Sequence, residues 1–506
     1  MRLATVVQSR EIDSLSHSVY GLSAEVLMES AGALAAREVE QAYFPELARG
    51  QVVVLCGPGH NGGDGLVLAR HLFSSRWRNL VVLLLDREQV RSPLVREQIR
   101  RCELQGIRIL DLGQNKSLLE TASLIVDALF GIGLDRPLEG LASQAVAAVN
   151  LSSCPVVSLD CPSGLDSDSG NILGSAVRAS MTLSFGLAKP GFFVNQGPRA
   201  VGRLRVLTIG FPPEVLRTVA TSHFLFTEKL ARRYLPRRKD QSHKSNHGHL
   251  LVIAGSQGFW GAGVLASSAG FRMGAGYVTW ASHSSPNEQL KDCPEVLTGS
   301  VADEALWSRK ISSAVIGPGL GGGQVAAGSK MNQEIAGILE RLRGLKIPVV
   351  VDADAYSVCI QEGLLPLPAN WVVTPHAGEA SRLLGVSAQE VELRRFESAL
   401  ALTEQTGCPV LLKGFRSLVA FSGKFLVIHS GNSALAKAGT GDILAGMIGG
   451  LMAQGLESVQ AAATGAFVHG RISDEWVKSG RGAESLLASD LQKVLPSFLG
   501  QIRRAP

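Results

Sequence analysis

Two stretches of this chain bring glycine, a carboxylate and the start of a helix together in a way that suits anion chemistry. "AKAGTGD" puts Gly439 and Gly441 just ahead of Asp442. The backbone N–H groups of such a turn can hold a developing phosphoryl charge, and a carboxylate at its mouth can take the proton of an attacking hydroxyl. "GPGHNGGDG" (57–65) follows the apolar run "QVVVLC", and Gly57, Gly59 and Gly62 satisfy G-x-G-x-x-G. Read literally this is a dinucleotide fingerprint, with Asp86 closing "NLVVLLLD" about where a ribose-binding acid would stand. Asp64 argues against a plain pyrophosphate cradle, because it falls near the start of the helix, where it fits a helix cap instead. A strand-end Asp86 that only caps a loop reads equally well.

Further chemistry sits at other strand ends, where open α/β sheets place ligands. "VDALFGIGLDRP" (126–137) and "SLDCPSGLDSDSG" (158–170) carry Asp127 and Asp160 inside otherwise apolar runs. Such acids are seldom buried without a cation, backbone donors or a substrate as partner, and an Asp beside a bound carbon can take and return a proton. In the second half, "GSQGFWGAG", "IGPGLGGG", "VDADAY", "TPHAGE" and "LLKG" end successive runs. Lys413 in the last of these reads as a nucleotide-phosphate contact or as a solvated lysine. His376 reads as a core histidine or a substrate contact. No G-x-x-x-x-G-K-[ST] phosphate loop occurs.

The elements that must position these residues follow from periodicity. Residues 24–42 have helical spacing. Runs at 51–56, 79–85, 124–130, 155–160, 181–186 and 203–209 are apolar throughout rather than alternating, as strands buried on both faces are. The rhythm pauses over 211–247 and resumes with runs at 249–256, 277–282, 314–319, 348–354, 371–376 and 409–414. A hairpin (417–431) and a long apolar helix after Asp442 complete the series. The fold class expected is α/β in two domains, 1–222 and 223–506, each built on a mainly parallel sheet.

Bulk properties agree with a two-domain globular protein of 506 residues. A net charge of +5 on that length, with 6% aromatics, gives no reason to expect nucleic-acid binding. The basic run 231–239 reads as a linker. Seven scattered cysteines without C-x-x-C spacing suit reduced thiols, no stretch is apolar enough to span a membrane, and a cytoplasmic location is expected.

"GPGHNGGDGLVLAR", "VDALFGIGLDRP" and "LDCPSGLDSDSG" together resemble the NAD(P)H-hydrate epimerase domain, and the motifs of the second half resemble the ADP/ATP-dependent NAD(P)H-hydrate dehydratase domain. The resemblance spans nearly the whole chain, and the family meant is the bifunctional NAD(P)H-hydrate repair enzymes. It implies a Rossmann-like first domain and a ribokinase-like second one, with the damaged cofactor as substrate. Carried over, Asn61, Asp127 and Ser163 would hold a potassium ion. His60, Asn61, Gly62, Gly63 and Asp64, with Gly131, Ile132, Gly133, Leu134, Asp135, Arg136 and Pro137, would contact NAD(P)H-hydrate, and Asp160 would be the acid/base residue. In the second domain Ala262, Gly319, His376 and Asp442 would contact the hydrate. Lys413, Gly414, Phe415, Arg416, Ser417 and Gly441 would hold ADP or ATP, with ADP favoured, a magnesium ion bridging its phosphates and Asp442 as the base. His60 stands where the family usually has Asn, which leaves its local contact open. A homo-oligomer is expected. Three other readings stay open: a small-molecule kinase with an N-terminal regulatory domain, a protein whose first domain binds without catalysis, and a dehydrogenase passing hydride to a separate substrate.

Overall fold

A computed structural model describes residues 1–283, 293–322 and 325–504. Gly323 of the "GPGLGGG" loop lies outside the described residues. The chain divides into two compact units, Arg2–His223 and Phe224–Pro506, the second also taking Met1.

In the first unit, helices α1 (Val6–Tyr20) and α2 (Ala24–Ala42) precede the series β1 (Val52–Cys56), α3 (His60–Ser74), β2 (Leu80–Leu84), β3 (Arg108–Asp111), β4 (Leu124–Ala128), α4 (Gly140–Leu151), β5 (Val156–Leu159), β6 (Met181–Phe185) and β7 (Arg203–Leu207). The seven strands are parallel, in the order β3-β2-β1-β4-β5-β6-β7. The strand order reverses between β1 and β4, where Cys56 lies opposite Ala128 and Leu55 opposite Asp127. The unbroken apolar runs have the cause expected. Val52, Val54 and Val126 pack on one face against Leu27, Ala31 and Leu66, while Val53, Leu55 and Ile125 pack on the other against Ala145, Val146 and Val149.

The second unit contains β8 (His249–Ile253), α5 (Trp260–Arg272), β9 (Tyr277–Ser282), β10 (Leu297–Ser300), β11 (Ser313–Ile316), α6 (Lys330–Gly344), β12 (Val349–Val351), α7 (Ala353–Gln361), β13 (Val372–Val373), α8 (Ala377–Leu384), α9 (Arg395–Thr406), β14 (Val410–Leu412), β15 (Leu418–Phe421), β16 (Lys424–Ile428), α10 (Thr440–Ala453) and α11 (Ser458–Lys478). Nine strands of its sheet run in the order β10-β9-β8-β11-β12-β13-β14-β15-β16, parallel as far as β14 and antiparallel from β14 to β16, and the strand His223–Phe226 follows β16. Again both faces are covered, Leu250, Val252 and Val315 by α5, α10 and α11, and Leu251, Ile253 and Ile316 by α6 and α7.

Most strands stop short of the apolar run that announced them. The run at 155–160 ends as a strand at Leu159, that at 124–130 at Ala128, and that at 348–354 at Val351. Loop residues such as Leu129 and Cys161 are as buried as the strands, so hydrophobicity continues where hydrogen-bonded pairing has stopped. The edge strands β3 and β10 gave no apolar run because much of each faces solvent. The pause at 211–247 holds a strand, His223–Phe226, and a short helix, Glu228–Tyr234, which takes in the first residues of the expected linker 231–239 and in which Arg232 pairs with Glu228. The seven cysteines are unpaired, and no helix among the described residues is long and apolar enough to cross a membrane.

Helix α10 approaches α5 at backbone distance. A Cβ on Gly446 would stand 2.1 Å from the Ala266 carbonyl oxygen, and one on Gly450 2.5 Å from that of Gly270. Gly446→Ala must push the helices apart, at a cost of roughly 2 kcal/mol that outweighs its gain of about 1 kcal/mol in helix propensity. The unfolding transition followed by tryptophan fluorescence, to which the second unit contributes five of the six tryptophans, should fall accordingly.

Candidate functional site

The first constellation forms where β1 and β4 diverge. Helix α3 begins at His60 behind Gly59, which offers no capping side chain, so the first-turn N–H groups keep their donors for a ligand. Asp64 is therefore inside the helix and does not cap it. The glycines around it are there for space. A Cβ on Gly57 would lie 1.8 Å from the Leu129 carbonyl oxygen, one on Gly62 1.9 Å from that of Gly57, and one on Gly63 2.5 Å from the Met28 methyl. Gly62 and Gly63, expected to contact the ligand, are buried beneath the turn and are not part of the wall of the cavity above it.

A cavity of about 1120 Å³ opens above these loops. Its wall includes His60, Asp64, Gly131, Ile132, Gly133, Leu134, Asp135, Arg136 and Asp160, while Asn61, Pro137, Asp127 and Ser163 are not part of it. Asp160 leaves β5 with φ +61°, a left-handed conformation that costs a non-glycine residue about 1–3 kcal/mol and is typical of functional positions. It accepts a hydrogen bond from Ile132 N at 3.2 Å, and a Cβ on Gly131 would stand 2.7 Å from its Oδ2. The bend thus presses the Asp160 carboxylate against the 131–132 loop.

Asp127 is fully buried and accepts from Ser158 Oγ (2.7 Å), Ser163 N (2.9 Å) and Ser163 Oγ (2.6 Å). Burial raises its pKa, and these donors oppose the rise. Ser163 Oγ also accepts from Phe130 N at 2.9 Å. Asn61 is buried at 8% exposure, and neither atom of its amide has a partner. An orphaned amide oxygen close to Gly131, with a buried carboxylate and a hydroxyl beneath the same loop, suits a desolvated monovalent cation.

Two residues of this site left no clear mark in the sequence. Lys189, on the loop after β6, is 1% exposed and donates to the carbonyl oxygens of Leu187 (2.7 Å) and Phe185 (3.2 Å). Asp13 projects from α1 into the cavity. Burial, Asp160 and Asp13 together raise the pKa of Asp64 well above its ordinary value. A charged residue in "SFGLAKPG" at a strand end was the available signal for Lys189. Asp13 on an amphipathic helix had none. Asp86 is not part of the cavity wall; its carboxylate accepts from Glu88 N, Gln89 N and Gln89 Nε2 and closes its own loop.

In the second unit the strand order reverses between β8 and β11, and the loops after these strands meet. Ser256 Oγ donates to Gly319 O at 2.9 Å, and a Cβ on Gly319 would lie 2.9 Å from that of Ala262. Asp354 ties the next loop in by accepting from Gly321 N at 2.7 Å. Lys413 is neither solvated nor free for phosphate alone. Its Nζ donates to Asp352 Oδ1 at 2.8 Å and stands 3.9 Å from Glu379 Oε2, and Thr374 Oγ1 donates to the same Asp352 oxygen at 2.7 Å. Burial works against the charge of Lys413, but Asp352, Glu379 and Asp442 hold its pKa above the usual value. That tether sets its Nζ 3.8 Å from where a Cβ on Gly441 would be.

Helix α10 starts at Thr440 behind Gly439, which has φ +85° and no capping side chain. Its free N–H groups, Gly441, Asp442 and the Lys413 ammonium therefore face one small volume. Burial and the charge of Asp352 push the Asp442 carboxyl up to about 6 against the pull of Lys413. Behind the turn, His469 is buried with Nε2 unpartnered. His376 proves to be an exposed cap of α8: its Nδ1 accepts from Gly378 N, and its own N–H donates to Glu379. Gly414 lies against the buried Arg395 guanidinium, Phe415 is exposed, Arg416 sits at φ +62° with a buried, unpartnered Nε, and Ser417 Oγ donates to Gly414 O.

Residues 24–191 match a family model described as YjeF-related protein N-terminus, and residues 250–497 match one described as NAD(P)H-hydrate dehydratase. The chain is 34% identical to the bifunctional NAD(P)H-hydrate repair enzyme of Moorella thermoacetica and 36% identical to that of Thermofilum pendens, in each case over 99% of this chain and 97% of the relative. A crystal structure of the ADP/ATP-dependent NAD(P)H-hydrate dehydratase of Bacillus subtilis, co-crystallised with ATP and Mg2+, is 28% identical over 56% of this chain and all of that one, with a TM-score of 0.49.

Lys413→Met leaves the Asp352 carboxylate, 2% exposed, without its cation. The second unit should lose about 3 kcal/mol, the lower end of the range for breaking a buried pair, since Lys413 keeps some contact with solvent. Denaturant titration with tryptophan fluorescence measures it.

Proposed function

Because the chain belongs to the bifunctional NAD(P)H-hydrate repair enzyme family, we propose that its two constellations are the two active sites of that repair. The enzyme epimerises NAD(P)H-hydrate in its first unit and dehydrates it in its second. In the reading proposed here, the loops 60–64 and 131–137 seat the dinucleotide at the first cavity, and Asp160 moves the proton. Asn61, Asp127 and Ser163 would hold a potassium ion, which would neutralise buried negative charge beneath the substrate.

In the second unit, hydroxide on the hydrated ring is a poor leaving group. Transfer of a phosphoryl group from ADP or ATP to the C6 hydroxyl makes a good one. Asp442 takes the hydroxyl proton, and the N–H groups at the start of α10, with Lys413 beside Gly441, stabilise the transferring charge. Phosphate then departs with the C6–O pair, the ring nitrogen supplies electrons, and loss of a C5 proton restores the dihydropyridine. Magnesium would neutralise the nucleotide phosphates. Ala262, Gly319 and His376 lie on the loops proposed for the hydrate, and Lys413–Ser417 on those proposed for the nucleotide, ADP being favoured. The observation that carries this reading is the place of Asp442 at the uncapped start of α10, with the tethered Lys413 ammonium beside Gly441.

Asp442→Asn should lower the dehydration rate by about 100-fold or more while leaving epimerisation intact. As a base Asp442 works ionised, so in the parent enzyme dehydration should weaken as pH falls through about 6. Recovery of nicotinamide absorbance from the hydrate, with ADP and with ATP, measures both. Full activity in the variant would refute the assignment. The dehydration step acts on the S epimer at C6 alone, so Asp160→Asn supplied with both epimers should restore only the share already in the S form at normal speed. Restoration of the whole mixture at the parent rate would refute Asp160.

A further inference from the structure

We propose that Asp13 is a second acid–base group of the epimerase site, exchanging protons with the substrate in concert with Asp160. The proposal rests on reading the 1120 Å³ cavity as that site.

The chemistry calls for two groups. C6 of the hydrate carries a hydroxyl and the ring nitrogen N1, and inversion requires C6 to become planar. Removing the hydroxyl proton lets C6=O form as the C6–N1 bond breaks with its electron pair passing to N1, which takes up a proton. After rotation about C5–C6, N1 attacks the other face of the carbonyl, gives up that proton, and the oxygen regains one. Nothing is gained or lost overall. In each direction one group must accept a proton while another donates, and a single carboxylate cannot do both at once.

The fold holds Asp13 where the second group is needed. Helix α1 is pinned at its start: Ala4 N donates to Ala188 O, the neighbour of Lys189, and Val6 N donates to Asp168 Oδ1, both at 2.9 Å. A capping box of Thr5 and Gln8 stiffens its first turn, and Ile12 and Ser16 bury one side of it. Asp13 then lies on the cavity wall shared with Asp160, Asp64 and Lys189. It stays solvent-accessible through the open cavity, as a residue that meets a ligand must. Arg10 and His17 from its own helix and His60 from α3 line the same wall, and the exposed Asp135 and Arg136 stand at its rim. The walls and the charge of Asp160 push the Asp13 carboxyl up to about 6, while Lys189 draws it down. The charge of Asp160 raises both Asp13 and Asp64, and like charges on one wall favour a proton held among them, so one carboxyl can donate while another accepts.

The test uses the full chain and follows interconversion of the separated epimers over roughly pH 5 to 8. Asp13→Asn should lower kcat by about 100-fold with KM within about threefold, and Asp13→Glu should recover part of the loss. The parent profile should carry a limb near pH 6 that Asp13→Asn lacks. If Asp13→Asn keeps its kcat, or changes only KM, while Asp160→Asn is inactive, the proposal falls and the site stands. If both variants epimerise normally, the reading of the cavity falls with it. Should Asp13→Asn fail to fold, Asp13→Glu decides: a displaced limb supports the proposal, and a profile identical to the parent overturns it.

Discussion

Both sites depend on backbone meeting backbone with no room for a side chain. At the end of β1, Gly57 touches the carbonyl of Leu129 at the end of β4; at the end of β11, Gly317 comes as close to the carbonyl of Asp352 after β12, where a Cβ would stand 1.7 Å from the oxygen. The first contact lies where the strand order reverses, and the second lies one strand beyond the reversal between β8 and β11; a ligand can enter at such a point only if the loops around it stay flat and close. Glycine permits both. In the first unit the contact sets the 57–62 turn against the 129–132 loop, and Asp160 is pressed onto that loop from the other side. In the second, it holds "GPGLG" against the Asp352 loop, which in turn fixes Lys413.

On these two frames the chain arranges charge in similar ways. Each site brings several carboxyls and a lysine drawn in from solvent together: Asp13, Asp64 and Asp160 share a cavity wall with Lys189, and Asp352, Glu379 and Asp442 surround Lys413. The two lysines are tied differently. Lys189 donates to two carbonyl oxygens and acts on Asp13 by charge alone, whereas Lys413 makes a direct ion pair with Asp352. One Asp in each unit is pushed up to about 6, Asp13 in the first and Asp442 in the second. A carboxyl in that range changes protonation easily near neutrality, which suits a site that must pass protons. The excess of negative charge also explains why a cation would be welcome beneath Asn61, where a buried amide has no partner.

Much of this was legible in the chain, for reasons that can be stated residue by residue. The double-sided burial of β1 and β4 produced runs such as "QVVVLC" and "LIVDA", and the interruption of such a run by Asp127 drew notice because apolar surroundings make an unpaired acid costly. The edge strands β3 and β10 escaped, since a strand with solvent on one side needs no such run. Asp86 misled because a dinucleotide fingerprint counts spacing and does not see that Glu88 and Gln89 already occupy its carboxylate. Asp64 misled by one helical turn, because three glycines and an asparagine hid the true start of α3 at His60.

What the sequence determined by itself was local: the alternation of β and α, the glycine turns after the strands, and the identity of acids standing where apolar residues would otherwise be. These depend on side-chain type and near neighbours, which the chain order carries. Tertiary structure alone decided the company those acids keep. Asp13 and Asp160 are 147 positions apart in the chain and share one cavity wall, and Lys413 and Asp352 are 61 apart and share a proton's hydrogen bond. Charge–charge coupling acts through space and depends on burial, so the protonation states on which both proposed mechanisms rest exist only once the sheets have closed.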